Sequence, residues 1–292
     1  MAKKTAGSIR AQRFTMDIVV HSILLIMSVI WLIPFVYLVA QSFRGGANQT
    51  MYSLEFFPKI FSWDAYVKLF TYKEKVDFPR MFMNTLFVSS ISCVISSFLV
   101  LAVSYCLSRV KWKMRRTYMN FAMVITLFPG FMAMVAVYYL LKVFGLTEGD
   151  KTLFALILMY SSGAGVGFHV MKGYMDTIPK ALDEAAYLDG ATKFQTFTRI
   201  TIPLCKPMIV YQLITSFMGP WCDFITPKIV CGTDVKYYTV SVGLNHMLTR
   251  ELKDTHFTMF CAGAVLIAIP ISVLFILTQR LYQEAMSGSV KG

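Results

Sequence analysis

Charge is scarce in this chain of 292 residues. Only 15% are Asp, Glu, Lys or Arg, where a soluble domain carries about 25%. Acidic residues are scarcer still, with 16 Asp and Glu against 28 Lys and Arg. A chain that is 56% hydrophobic and so poor in charge cannot hide its apolar surface in one water-soluble core. That excludes an ordinary soluble enzyme, a disordered chain and a coiled coil. No G-x4-G-K-[ST] phosphate loop occurs, so the chain has no cradle of its own for ATP. The run Gly163-Ala-Gly-Val-Gly167 lacks the spacing and the preceding strand of a dinucleotide fingerprint. Cysteines at 93, 106, 205, 222, 231 and 261 include no C-x2-C pair, so neither a disulfide framework nor a zinc site follows. His21 and His169 have no convergent ligand partners, and no nucleophile–base cluster argues for a membrane enzyme. The expected fold class is therefore all-α and polytopic, with no cofactor or metal held by the chain.

What the sequence does have is long apolar runs. Six stretches can cross about 30 Å of hydrocarbon at 1.5 Å per residue: about Ile18–Phe43, Phe82–Leu107, Tyr118–Leu141, Thr152–Met171, Pro207–Val230 and Phe257–Tyr282. Pro34, Pro129 and Pro270 fall inside them, where neighbouring helices can satisfy the freed carbonyls. The net charge of +12 would point to nucleic acid on a soluble protein. On a membrane chain it reports topology instead, and nucleic acid is not an expected partner. Lys3, Lys4, Arg10 and Arg13 lie in the amino-terminal tail, and Arg109, Lys111, Lys113, Arg115 and Arg116 follow the second span. Placing both groups inside puts both termini in the cytoplasm. The expected organisation is a tail over 1–17, one six-span domain over 18–282 with an inner loop at about 172–206, and a second tail over 283–292.

That inner loop reads as two short helices around a glycine turn. Pro179 suits a first turn, and Asp183 and Glu184 sit near its positive end. Asp189-Gly190 stops the helix, because glycine accepts a left-handed backbone. A second helix runs from Ala191 to about Ile200, with Phe194, Phe197 and Ile200 at spacings of three, and Pro203 closes it. Two readings fit the apolar stripe. One is an amphipathic hairpin resting on lipid headgroups. The other is a docking element in which Ala185 and Ala186 allow close approach and the aromatics fill a partner's groove.

Glu184-Ala185-Ala186, three residues, Gly190, nine residues, Ile200, one residue, Ile202-Pro203 resembles the EAA loop of the membrane subunits of ABC importers, E-A-A-x3-G-x9-I-x-L-P. Ile202 stands where leucine is usual, a volume-conserving change. Further stretches resemble the carbohydrate-importing branch, in its second membrane subunit of maltose/maltodextrin type. They are Phe56-Phe57-Pro58, Trp63-Asp64-Ala65-Tyr66, Asn84-Thr85, Ala102–Arg109 (Ala-Val-Ser-Tyr-Cys-Leu-Ser-Arg), Leu127-Phe128-Pro129-Gly130 and the ending Gly288–Gly292.

The resemblance implies a type I ABC importer permease in a bacterial cell membrane. Its implied partners are a second, related permease subunit, two ATP-binding subunits that use the ATP, and an extracytoplasmic sugar-binding protein. It implies that Glu184, Ala185, Ala186, Asp189, Gly190, Phe194, Ile200 and Pro203 couple the chain to an ATPase, and that an oligosaccharide is the cargo. It also implies that the terminal tail meets the ATPase pair, and the outer loop at about 231–256 the binding protein. Gly165, Trp221 and Asp223 are the residues weighed for a pathway or cargo contact. For Trp221 and Asp223 the alternative is a structural aromatic and an interfacial acid. An importer of another solute class and an ion-coupled secondary transporter are the competing functions. The absence of a visible internal repeat speaks against the latter.

Overall fold

Low charge and long apolar runs give an almost wholly helical chain in the computed structural model, which describes residues 2–46, 55–73, 76–163, 167–249 and 253–288. Among the described residues the one extended pairing is an isolated antiparallel bridge between Arg44 and Phe61. The chain divides into two units, 1–69 with 247–265 and 70–246 with 266–292.

In the first unit, α1 (Ala2–Ser42) runs unbroken through Pro34 and carries the first predicted span. The tail expected over 1–17 is thus a continuation of this helix. The segment after α1 folds back on its end. Gln41 donates to the carbonyls of Glu55 and Phe56 at 2.7 and 3.2 Å, and the hydroxyls of Ser42 and Tyr66 meet at 2.9 Å. Phe43 stacks on Phe61 with centroids 4.6 Å apart and takes the edge of Trp63 at 4.8 Å. The Phe-Phe-Pro and Trp-x-x-Tyr stretches are therefore the staples of an aromatic cap. A short helix, α2 (Asp64–Thr71), follows.

The second unit is organised around α3 (Phe78–Arg109), which Asp77 caps by accepting the amide of Arg80. One face of α3 is a run of small polar residues, with Thr85, Ser89, Ser92, Ser96, Ser97 and Ser104 all buried. Small side chains let a neighbouring backbone come close, which suits packing where apolar burial gives no net drive. The third predicted span is broken. Residues Arg115–Thr126 form α4, Gly130–Val143 form α5, and the two are bent by 101° at Leu127-Phe128-Pro129. Pro129 has no amide to donate and pushes Phe128 out of helical backbone. Pro34 and Pro270 lie within continuous helices; Pro129 makes a corner.

The fourth and fifth predicted spans are interrupted as well. The fourth comprises α6 (Thr152–Ser162) and then α7 (His169–Thr177). Beyond it come α8 (Ala181–Leu188), α9 (Lys193–Thr196), a π turn over Phe197–Thr201 and α10 (Ile202–Leu204). The fifth comprises α11 (Lys206–Cys222) and α12 (Ile225–Cys231), parted at Asp223-Phe224.

The segment that follows is folded, with Tyr237, Tyr238 and Val242 buried. Asn84 ties it to α3 by donating to the carbonyls of Lys236 and Tyr238 at 3.0 and 3.1 Å. It ends in α13 (Val240–Met247), and α14 (Lys253–Gly288) carries the sixth span. Three described helices are long and apolar enough to cross a membrane, or up to five if each bent pair counts as one span.

Candidate functional site

Two short helices around Gly190, expected between Pro179 and Pro203, are present as α8 and α9, and their turns follow from local chemistry. Gly190 sits at φ +80°. The amide of Gly190 reaches the carbonyl of Tyr187 at 3.1 Å and that of Ala191 reaches Ala186 at 2.9 Å, the two bonds of a Schellman motif. Two residues later Thr192 and Gln195 form a reciprocal capping box. The Gln195 amide donates to Thr192 Oγ1 at 3.2 Å and the Thr192 amide to Gln195 Oε1 at 2.8 Å. The T-x-x-Q spacing is the sequence signal of this helix start. Pro203 does not close the second helix, which runs on to Leu204. Its ring cannot share space with the carbonyl four residues back. The backbone widens into the π turn instead, with the amide of Ile202 bonded to the carbonyl of Phe197. The sharp bend, 78°, comes at Cys205.

Of the eight residues of α8 only Asp183 and Ala186 are buried. The helix is held along one edge and presents the rest. Glu184 and Ala185 are exposed, and so are Leu182, Leu188 and Phe194, the last two at 89% and 73%. Asp189 and Pro203 are also exposed, Ile200 is half-buried, and Gly190 has open space around it. The alanine pair therefore splits: Ala185 faces out, while Ala186 faces the chain's own core.

That edge is gripped by the last two turns of α3. Arg109, its side chain 3% exposed, places Nε 3.2 Å from Asp183 Oδ2. Its Nη2 donates to the carbonyls of Met175 and Ile178, both at 2.9 Å. The Asp183 contact is an ion pair without hydrogen-bond alignment, and Nη1 has no partner. Ser108 donates to Asp176 at 2.6 Å, and Lys172 pairs with the other carboxylate oxygen. Burial pushes the Asp176 carboxyl up, but the hydrogen bonds from Lys172 and Ser108 outweigh it and hold the group below its ordinary value. Tyr105 donates to the carbonyl of Lys193 at 3.1 Å and lies 4.6 Å from the ring of Phe197. One helix end thus holds α7, α8 and α9 together. Beneath it Val100, Met171, Met175 and Cys205 form a buried cluster.

Tyr105, Ser108, Arg109 and Asp183 were missed as site residues. The stretch Ala102–Arg109 had been noticed only as a likeness, and Arg109 only as a topological cation. Trp221 and Asp223, weighed together, are not brought together. Trp221 is buried, donates to Ser89 Oγ at 3.1 Å and meets Phe82 edge-on at 5.1 Å. Asp223 lines a separate cavity of about 300 Å³ with Tyr160, Ser162 and Thr226. There it accepts from the Tyr160 hydroxyl at 3.2 Å and caps α12 through the amides of Ile225 and Thr226. Gly165 and the final residues 289–292 lie outside the described residues.

Residues 98–287 match the family described as binding-protein-dependent transport system inner membrane component. The galactooligosaccharides transport system permease protein GanQ of Bacillus subtilis is 31% identical over 98% of this chain and 99% of its own length. The maltose/maltodextrin transport system permease protein MalG of Escherichia coli is 30% identical over 94% of this chain and 95% of its own. A solved bacterial ABC transporter involved in import of the acidic polysaccharide alginate has a chain of the same fold. Its TM-score is 0.75 at 20% identity, covering 90% of this chain and 95% of that one. This chain belongs to the binding-protein-dependent transport system inner membrane component family, as a multi-pass membrane protein with the permease fold.

Proposed function

We propose that the chain is a permease subunit of an ATP-driven, binding-protein-dependent importer for a sugar, an oligosaccharide rather than a monosaccharide. Relatives named for galactooligosaccharide and maltodextrin transport support the cargo class. In this reading it forms half of the pathway beside a related permease subunit, above two ATP-binding subunits, with both termini in the cytoplasm. A solved relative in complex with a pentasaccharide-bound periplasmic protein supports a binding protein as donor of the cargo.

The observation that carries the reading is the hairpin. It is buried along one edge, anchored to α3, and otherwise offers an apolar exposed face with Glu184 and Ala185 on it. In an ATP-driven importer a chain without a phosphate loop receives its energy through a contact with the subunits that bind ATP. A face of this kind suits a groove in an ATPase subunit. When the ATPases close, α8 is displaced. The Arg109 anchor, the Ser108–Asp176 bond and the Tyr105–Phe197 contact pass the displacement to α3 and α7 as rigid bodies.

The test is an assembled complex carrying Leu188→Asp with Phe194→Asp, or Glu184→Lys. The apolar pair should lose co-purifying ATPase subunits, and Glu184→Lys should lose uptake coupled to ATP hydrolysis. The isolated chain should keep its stability, since exposed substitutions stay within about 0.5 kcal/mol. Full coupled transport in both variants would exclude the hairpin as the coupling element.

A further inference from the structure

The turn between α3 and α4 has a feature that coupling does not use. Lys111, Trp112, Lys113, Arg115, Arg116 and Met119 line a cavity of about 450 Å³. Four cations share this one recess. Arg115 acts on Asp176, whose carboxylate is already taken by Lys172 and Ser108. Among the described residues Lys111, Lys113 and Arg116 form no salt bridge. Like charges gathered around a recess repel unless an anion joins them.

The helix that follows the recess carries exposed apolar residues. On α4, Phe121, Met123 and Val124 are exposed at 64%, 62% and 54%. Trp112, 41% exposed, stands at the junction with its ring 6.2 Å from that of Tyr118, as amphipathic aromatics do at the headgroup level. A cationic hollow at the start of a helix with exposed apolar residues matches an anionic headgroup with acyl chains attached.

We infer that the Lys111–Arg116 turn is a binding site for the phosphodiester headgroup of an anionic phospholipid, whose chains lie along the exposed face of α4. Basic recesses beside membrane helices recognise such headgroups by charge. The inference rests on the chain lying in a bilayer and not on its cargo or its coupling, so it can fail while the importer reading stands.

The test places the assembled transporter in vesicles containing either photoreactive phosphatidylglycerol or photoreactive phosphatidylcholine, and maps the crosslinks. Phosphatidylglycerol should mark residues 111–125, and phosphatidylcholine should not. Lys111→Gln with Lys113→Gln and Arg116→Gln should lower headgroup affinity roughly a hundredfold, and each single change about fivefold. Lys111→Arg with Lys113→Arg and Arg116→Lys should retain it. Lys68→Gln with Lys142→Gln and Lys151→Gln, the same change of net charge elsewhere, should leave it unaltered. Equal marking by the two lipids, an equal loss in the distant triple variant, or no loss in the turn variants would overturn the site. Displacement by millimolar inorganic phosphate would overturn the lipid as occupant and assign the recess to the free anion.

Discussion

Arg109, the last residue of α3, reaches across to Asp183 of α8 with 3.2 Å between Nε and Oδ2, and neither side chain is more than 9% exposed. A helix that reads as a membrane span is thereby tied to the helix that carries the exposed Glu184-Ala185 face. Removing one member of such a pair leaves a buried charge uncompensated, which costs about 3–5 kcal/mol. Asp183→Ala should therefore destabilise the complex and abolish coupled uptake. Arg109→Lys should rescue poorly, because lysine cannot also serve the carbonyls of Met175 and Ile178 through one fork. Thermal unfolding alongside ATP-driven uptake checks both. Wild-type stability in Asp183→Ala would show that the pair does not anchor α8.

Gly190 isolates a backbone effect from a packing effect. Its φ is +80° and nothing lies within 4 Å of an added Cβ, so a side chain meets strain and no clash. Left-handed backbone costs an ordinary residue about 1–2 kcal/mol, and asparagine least. Gly190→Val should lower both the melting temperature of the complex and its uptake, with Gly190→Asn close to wild type. An equal defect in the two variants would mean that the position serves as a contact surface and not as a helix stop.

Trp221 is buried and donates to Ser89 Oγ. Replacement by phenylalanine keeps the ring against Phe82 but removes the bond to Ser89, worth about 1 kcal/mol. The expected outcome is a small loss of stability with an unchanged apparent KM for sugar uptake. A raised KM at unchanged stability would return Trp221 to the list of cargo contacts.

Asp150 governs a small clasp. Lys236 and Tyr237 donate to its carboxylate at 2.8 and 2.6 Å. The hydrogen bond from Lys236, then that from Tyr237, then the charge of Lys236 hold the carboxyl below its ordinary value of 3.8. A depressed carboxylate contributes its stabilisation above the unfolded value and loses it as pH falls through the folded one. Protection of residues 234–238 against hydrogen exchange, taken relative to the intrinsic rate at each pH, should thus be flat from neutral pH down to about 4 and fall below. In Asp150→Asn it should be low throughout. A variant with wild-type protection would mean the clasp holds nothing.

Local signals carried much of the fold. The first, second and sixth expected spans are long apolar runs and fall on α1, α3 and α14; the helix ends lie near those expected except at the start of α1, which begins at Ala2 and not near Ile18. Gly190 stops its helix because a left-handed backbone is a property of one residue and its neighbours. Pro129 was harder, since a proline inside an apolar run fits a tolerated kink and a full corner equally well. Pro34 remained helical; Pro129 turned the chain by 101°.

The sequence by itself determined a membrane chain, its long spans and the hairpin with its EAA spacing, because hydropathy, helix stops and motif spacing are written over a few neighbouring residues. Only the tertiary structure decided that Arg109 holds Asp183, that Ala186 faces inward while Ala185 faces out, and that Trp221 and Asp223 part company. Each of these depends on which helix face meets which neighbour across a long stretch of chain. Composition and periodicity constrain a helix's faces, while the partner of each face is chosen by packing.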